Sequence, residues 1–193
     1  MRKQKNKIYF FLDSISYFGF FLLFLFPSNK AKSEINTSYD NRLGTSINGE
    51  IDGECNIGLC TIDGGIRSGT NLFHKFDNFD TRGLIEGVRF INNGTNNLII
   101  GVSSNRGAFI NKPIDISNKS NLYWISPYGI KLSSGVNFLN AHNVYFSTKP
   151  FLNFSNGSLN LFEADETKLE DFVSDPLRNL HNSNNYPLGI KSS

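Results

Sequence analysis

The feature that most limits how this chain can fold is a succession of short β-branched and aromatic runs, beginning near Leu72 and separated by clusters of Asn, Ser and Gly. The runs include residues 71–76, 87–91, 97–102, 114–116, 121–125, 130–132, 136–139, 143–146, 151–154 and 159–161. Side chains of this kind favour extended backbone, and polar clusters between them read as turns. Val136-Asn137-Phe138 and Leu159-Asn160-Leu161 alternate apolar with polar, which predicts one buried and one wet face. No 3.6-residue period competes over this stretch. A spacing of roughly 8 to 12 residues permits a sandwich, a barrel or a β-solenoid. The turns tilt the choice toward the solenoid, because Asn92-Asn93-Gly94, Asn105-Arg106-Gly107 and Asn156-Gly157 are residues that tolerate the positive φ of tight coil corners. Stacked coils also use buried Asn side chains as ladders, each amide both donating and accepting. A compositionally biased genome is the plainer account of the same Asn content.

The N-terminus has a different character. Arg2, Lys3, Lys5 and Lys7 precede an apolar stretch from Ile8 to Phe26, followed by Pro27 and the small residues Ala31 and Ser33. That order predicts an export signal over residues 1–33, with cleavage leaving Glu34 first. An uncleaved leader acting as a membrane anchor is the alternative, although the strongest apolar part, Ile15 to Phe26, falls short of the ~20 residues a spanning helix needs. Six of the 19 basic residues but only one of the 17 acidic ones lie in these 33 positions, so the remainder carries 13 basic against 16 acidic. The basic pI therefore belongs to the leader and gives no support to a nucleic-acid partner.

Cys55 and Cys60 are the only cysteines and sit on a Gly-rich segment. In an exported chain this pair predicts a small disulfide loop. A zinc site would need more ligands than His74, which stands alone nearby. No cofactor-binding motif is present, and Gly64-Gly65 reads as a turn. From Glu163 acidic residues replace the Asn and Gly pattern; Thr167 and Glu170 have capping-box spacing, which predicts a short helix with Leu169, Phe172 and Val173 on one face. Its expected role is to cover the apolar end of the solenoid. The organisation that follows is a signal at 1–33, a β domain at 34–162, and a helical cap with a loosely ordered tail at 163–193.

Two segments carry a family resemblance. Residues 60–79 contain Gly64-Gly65 followed by Asn71-Leu72-Phe73-His74-Lys75-Phe76, and residues 121–130 read Asn-Leu-Tyr-Trp-Ile-Ser-Pro-Tyr-Gly-Ile. They resemble the N-L-F-H-S-F and N-L-x-L-I-N-P-N-G-I motifs of the filamentous haemagglutinin-type secretion domain, the haemagglutination activity domain of two-partner secretion. Lys75 replaces the usual Ser, and Ser126 and Tyr128 replace the two Asn of N-P-N-G, while Pro127 and Gly129 keep the turn. Pro187-Leu188-Gly189-Ile190 is a weaker echo. The resemblance spans roughly residues 47–161. It implies an all-β, right-handed parallel β-helix that is exported and recognised by an outer-membrane β-barrel transporter with periplasmic domains, in a Gram-negative-type envelope. Asn71, Leu72, Phe73, His74, Phe76, Asn121, Pro127, Gly129 and Ile130 are the implied recognition residues. Secretion or display at the cell surface follows, with a host or surface glycan as the adhesive ligand. Family members continue into long repeats, so the reading includes a truncated adhesin.

The competing classes are a β-helix protein that binds or degrades polysaccharide and a structural surface protein held by its leader. An active site would need clustered carboxylates, and Asp77 and Asp80 with Arg82 are the candidates. Turn solvation and strand capping are the simpler account of both carboxylates. His142 and His181 lack a nucleophile pattern. The expectation is a non-enzyme. His74, between Phe73 and Phe76, reads as a transporter contact or as a structural histidine beneath the first coil. Alternation puts Leu122 and Trp124 inward and leaves Tyr123 and Tyr128 as surface aromatics.

Overall fold

The computed structural model describes residues 34–37 and 43–177; the leader, its cleavage site, His181, the 187–190 echo and the tail lie outside them. The described chain is a parallel β-solenoid of about four turns, with strands making up most of its residues. Three strand stacks form it. The first is β5 (Ile57–Gly64), β9 (Leu84–Phe90), the start of β12 (Ile114–Ile125) and the start of β14 (Phe138–Ser147), in which Cys60, Val88, Ile114 and Phe138 lie on successive rungs. The second is β7 (Asn71–Phe76), β10 (Asn97–Val102) and the later parts of β12 and β14, with Leu72, Leu98, Leu122 and Val144 in register. The third is shorter: a bridge from Asp80 to Phe109, then β11 (Ala108–Ile110) beside β13 (Ile130–Leu132).

Each strand turns one face into the interior of the coil; in the first stack the other face stays open, as the alternating burial of β9 shows, while the second stack is covered outside as well and carries continuous apolar runs such as β10. Ile62, Phe76, Phe79, Phe90, Leu98, Ile100, Ile116 and Trp124 fill the interior. Phe79 meets Trp124 edge-on at 4.7 Å between ring centroids. Corners are fixed by amides. Buried Asn92 donates to the carbonyl oxygens of Thr95 (3.3 Å) and Asn118 (3.0 Å), and accepts from the Asn118 backbone N–H (2.9 Å). Asn93 and Gly94 beside it take positive φ, as the turn chemistry predicts.

The N-terminal end is closed by antiparallel strands. β1 (Ile35–Asn36) pairs with β4 (Glu54–Cys55) and β8 (Asn78–Phe79), β2 (Thr45–Ile47) pairs with β3 (Glu50–Ile51) and β5, and β6 (Ile66–Ser68) turns back on β7. These strands, β5 among them, come from the segment that composition reads as Gly-rich turns; Gly44, Gly49, Gly58, Gly64 and Gly65 all have positive φ between or inside them.

At the other end the chain departs from the helical-cap expectation. After β14 it leaves the coil, forms the hairpin β15 (Phe151–Phe154) and β16 (Gly157–Asn160), and continues into α1 (Glu166–Glu170). Hairpin and helix lie along the side of the second stack, and α1 reaches β6 in the first coil instead of covering the last one. Leu152, Phe154, Leu159, Leu161, Leu169 and Phe172 form a second core there with Phe73, Ile99 and Tyr123. The helix is a single turn capped by Asp165, whose Oδ1 accepts from the Lys168 N–H at 2.9 Å, so the Thr167 capping box is not used and Val173 falls past the helix end, exposed.

Candidate functional site

The two segments that carry the family resemblance are rungs of the same stack. β7 opens with Asn71 and the later part of β12 with Asn121; β10, opening with Asn97, lies between them. Their amides form one ladder. Asn97 donates to the Asn71 carbonyl oxygen at 2.9 Å, Asn121 to that of Asn97 at 3.0 Å, and Asn143 to that of Asn121 at 2.8 Å, across sequence separations of 26, 24 and 22 residues. The foot of the ladder is tied to the C-terminal segment: the Asn71 amide donates to the carbonyl oxygens of Phe172 and Ser174, both at 2.7 Å, and Asn97 to Asp175 at 2.7 Å. The expected Asn ladder is therefore present. Asn97 and Asn143 complete it without belonging to either motif; the sequence signal is an Asn directly before an apolar residue at each coil's start.

Within the first motif, Asn71, Leu72, Phe73, His74 and Phe76 are all buried in the folded protein. His74 is fully buried; its Nδ1 lies 3.0 Å from the Thr45 hydroxyl and its Nε2 meets no polar partner among the described residues. Phe76 and Phe90 rings lie near it, and burial alone pushes its pKa down to about 3, so the ring is neutral at ordinary pH. Gly65 explains the turn that precedes it: φ is +83°, and a Cβ there would stand 2.8 Å from the His74 ring. In the folded protein His74 is thus placed as its structural reading expects, buried and within hydrogen-bond distance of Thr45. Lys75, where the family has Ser, reaches the Phe162 carbonyl at 3.3 Å; partial burial lowers its pKa, and the charge of Asp77 opposes that shift.

In the second motif Asn121, Pro127, Gly129 and Ile130 are half-buried, and Gly129 supplies a turn with φ +108°. Leu122 and Trp124 point inward as alternation requires. Tyr123 corrects the surface assignment: it is buried, stacked on Tyr145 at 4.7 Å, because the β15–β16 hairpin covers the outer side of this stack. Tyr128 stays exposed and borders a shallow hollow of about 300 Å³ with Ser103, Pro127, Asn160, Phe162 and Glu163.

The candidate carboxylates serve separate contacts. Asp80 is fully buried and holds Arg82 through both Nε (2.9 Å) and Nη2 (2.7 Å), while the guanidinium stacks over Phe109 at 3.9 Å. Asp77 accepts from Ser103 at 3.4 Å. Cys55 and Cys60 are joined as expected, linking β4 to β5 within the N-terminal closure. Loop-entropy arguments for so short a loop give about 2 kcal/mol of stabilisation. Searches of family models, curated proteins and solved structures find no match to this chain.

Proposed function

We propose that this chain is an exported secretion or adhesion module, handled by an outer-membrane β-barrel transporter with periplasmic domains, and that its task is recognition and not catalysis. The observation that carries the reading is that both resembling segments start rungs of one Asn-laddered stack in a parallel solenoid. The buried disulfide suits an oxidising compartment such as the periplasm. Because Asn71–Phe76 is buried once the coil closes, recognition through that segment acts on the chain before it folds, when its backbone groups are free to pair with a strand of the transporter. The half-exposed turn at Pro127–Gly129 is reachable in either state.

The test is co-expression with an outer-membrane transporter of this architecture, measuring the medium or surface fraction beside the melting temperature. Wild-type protein is expected outside the cell. Pro127→Ala is expected to lower the exported fraction with little change in melting temperature, whereas Asn71→Ala, which strips the foot of the ladder, lowers both. Retention of wild-type protein in the periplasm with every such transporter defeats the reading.

A further inference from the structure

The two ends of the solenoid are finished differently. Antiparallel strands cover the first coil, but among the described residues β14 pairs on one side only, with β12. Its other edge presents backbone on two stacks, Phe138 and Leu139 on the first and Ala141 to Ser147 on the second, with Asn140 at φ +62° turning the corner between them. Open edges are ordinarily guarded by charged side chains, proline or a covering element. This one has none of these: the sequence Phe-Leu-Asn-Ala-His-Asn-Val-Tyr-Phe-Ser contains no Asp, Glu, Lys, Arg or Pro, and the hairpin that follows turns aside onto the lateral face. Behind the edge, Ile130, Leu132, Val136, Phe138, Val144 and Phe146 pack on the core while remaining partly exposed. The Asn ladder also ends here, with Asn143 donating inward to Asn121.

We infer that the second-stack part of this edge, Ala141 to Ser147, is a self-association surface, on which a second copy of the chain pairs the same segment antiparallel about a two-fold axis. The topology selects the occupant. Head-to-tail stacking is blocked because the first coil of any other copy is covered by β1 through β4, and the other outer strands among the described residues are only two to four residues long, so the edge of matching length on a second molecule is again β14. Two identical edges meeting each other form a closed, isologous pair and not a filament. The edge is suited to its own image in chemistry too: it is uncharged, so like meets like without repulsion, and an Asn amide both donates and accepts, so Asn143 can pair with a polar group of the same kind. The pairing would extend the backbone ladder across the axis and bury the partly exposed apolar ring of the last coil on its counterpart. This inference is independent of the export reading, since it concerns the folded protein alone.

Sedimentation velocity on the purified folded protein, from about 1 to about 200 µM, tests it. A concentration-dependent monomer–dimer equilibrium is expected. Leu139→Lys combined with His142→Lys places four cations on and beside the paired edges; both positions are exposed, so the fold should survive, and the dissociation constant should rise at least about tenfold. Leu84→Lys, at an exposed apolar site on β9, is the control and should leave the dimer intact. A monomer at all concentrations overturns the inference. So does a dimer that Leu84→Lys dissolves and the β14 pair does not. A monomer that dimerises only after removal of residues 178–193 also overturns it, because the chain's own tail would then be what covers the edge.

Discussion

The first and last coils are built from the same kinds of residue and end in opposite states. In the first coil Phe79 is sealed, with Trp124 edge-on and Phe76 at 5.3 Å; in the last, Phe138 meets Phe146 at 5.8 Å and stays partly open. His74 is enclosed, whereas His142 on β14 is exposed. Asn97 sits in mid-ladder, bonded above and below, whereas Asn143 is bonded on one side. What separates these pairs is what covers the rung on its outer side: antiparallel strands on the first coil, a further rung beside Asn97, and no described strand beyond β14. A rung between two others is desolvated and fully paired; a terminal rung of equal hydrophobicity is neither. In a solenoid, burial belongs to position in the stack more than to residue type.

Truncating matched side chains at the two ends breaks the comparison most sharply. Phe79→Ala is expected to cost about 3–5 kcal/mol, because the cavity is closed in by neighbours that cannot relax, against about 1 kcal/mol for Phe138→Ala, whose site solvent can fill. Urea unfolding of the two variants checks this; equal losses would mean that the last coil is as tightly enclosed as the first.

The histidines give the next largest contrast. With its folded pKa near 3, His74 refuses a proton that the unfolded chain takes up below pH ~6.5, so stability is intact above that pH and falls as pH drops toward 3. The slope from this group is about 1.4 kcal/mol per pH unit, or roughly 2 kcal/mol between pH 6.5 and 5. In His74→Gln that slope should vanish, while in His142→Gln it should remain. Unfolding midpoints across that range decide the matter.

The smallest expected difference lies in the ladder. Asn97→Ala removes one rung and leaves the carbonyl of Asn71 and the amide of Asn121 without their partners, an expected loss of about 1–2 kcal/mol. Asn143→Ala strands only the half-buried carbonyl of Asn121 and should cost about 0.5 kcal/mol or less. Thermal denaturation of both variants, read against Asn121→Ala, sharpens the ordering.

The sequence by itself determined many of the coil strands and the type of their turns, while β5 and β11 were not among the expected runs. β7, β10 and β13 fall on the quoted runs, because short runs rich in β-branched and aromatic residues between turn residues are visible locally. The disulfide and the inward Trp124 were legible for the same reason, each depending on close neighbours in the chain. Tertiary structure alone decided which apolar residues are sealed and which are left open. Tyr123 and Phe73 alternate outward and yet are buried, because the hairpin and α1 return from 30 or more residues away, as the Asn71 contacts across 101 and 103 positions show. The short strands β1 to β4, two or three residues each, lie before the runs that the sequence showed, because a pair that short carries no periodic signal of its own. A short helix does form where the sequence expected one, though Asp165 and not Thr167 caps it, and its placement beside the first coil depends on where the second core offered Leu169 and Phe172 a site. Local propensity specifies an element within its own few residues; only packing across the whole stack specifies what lies against it.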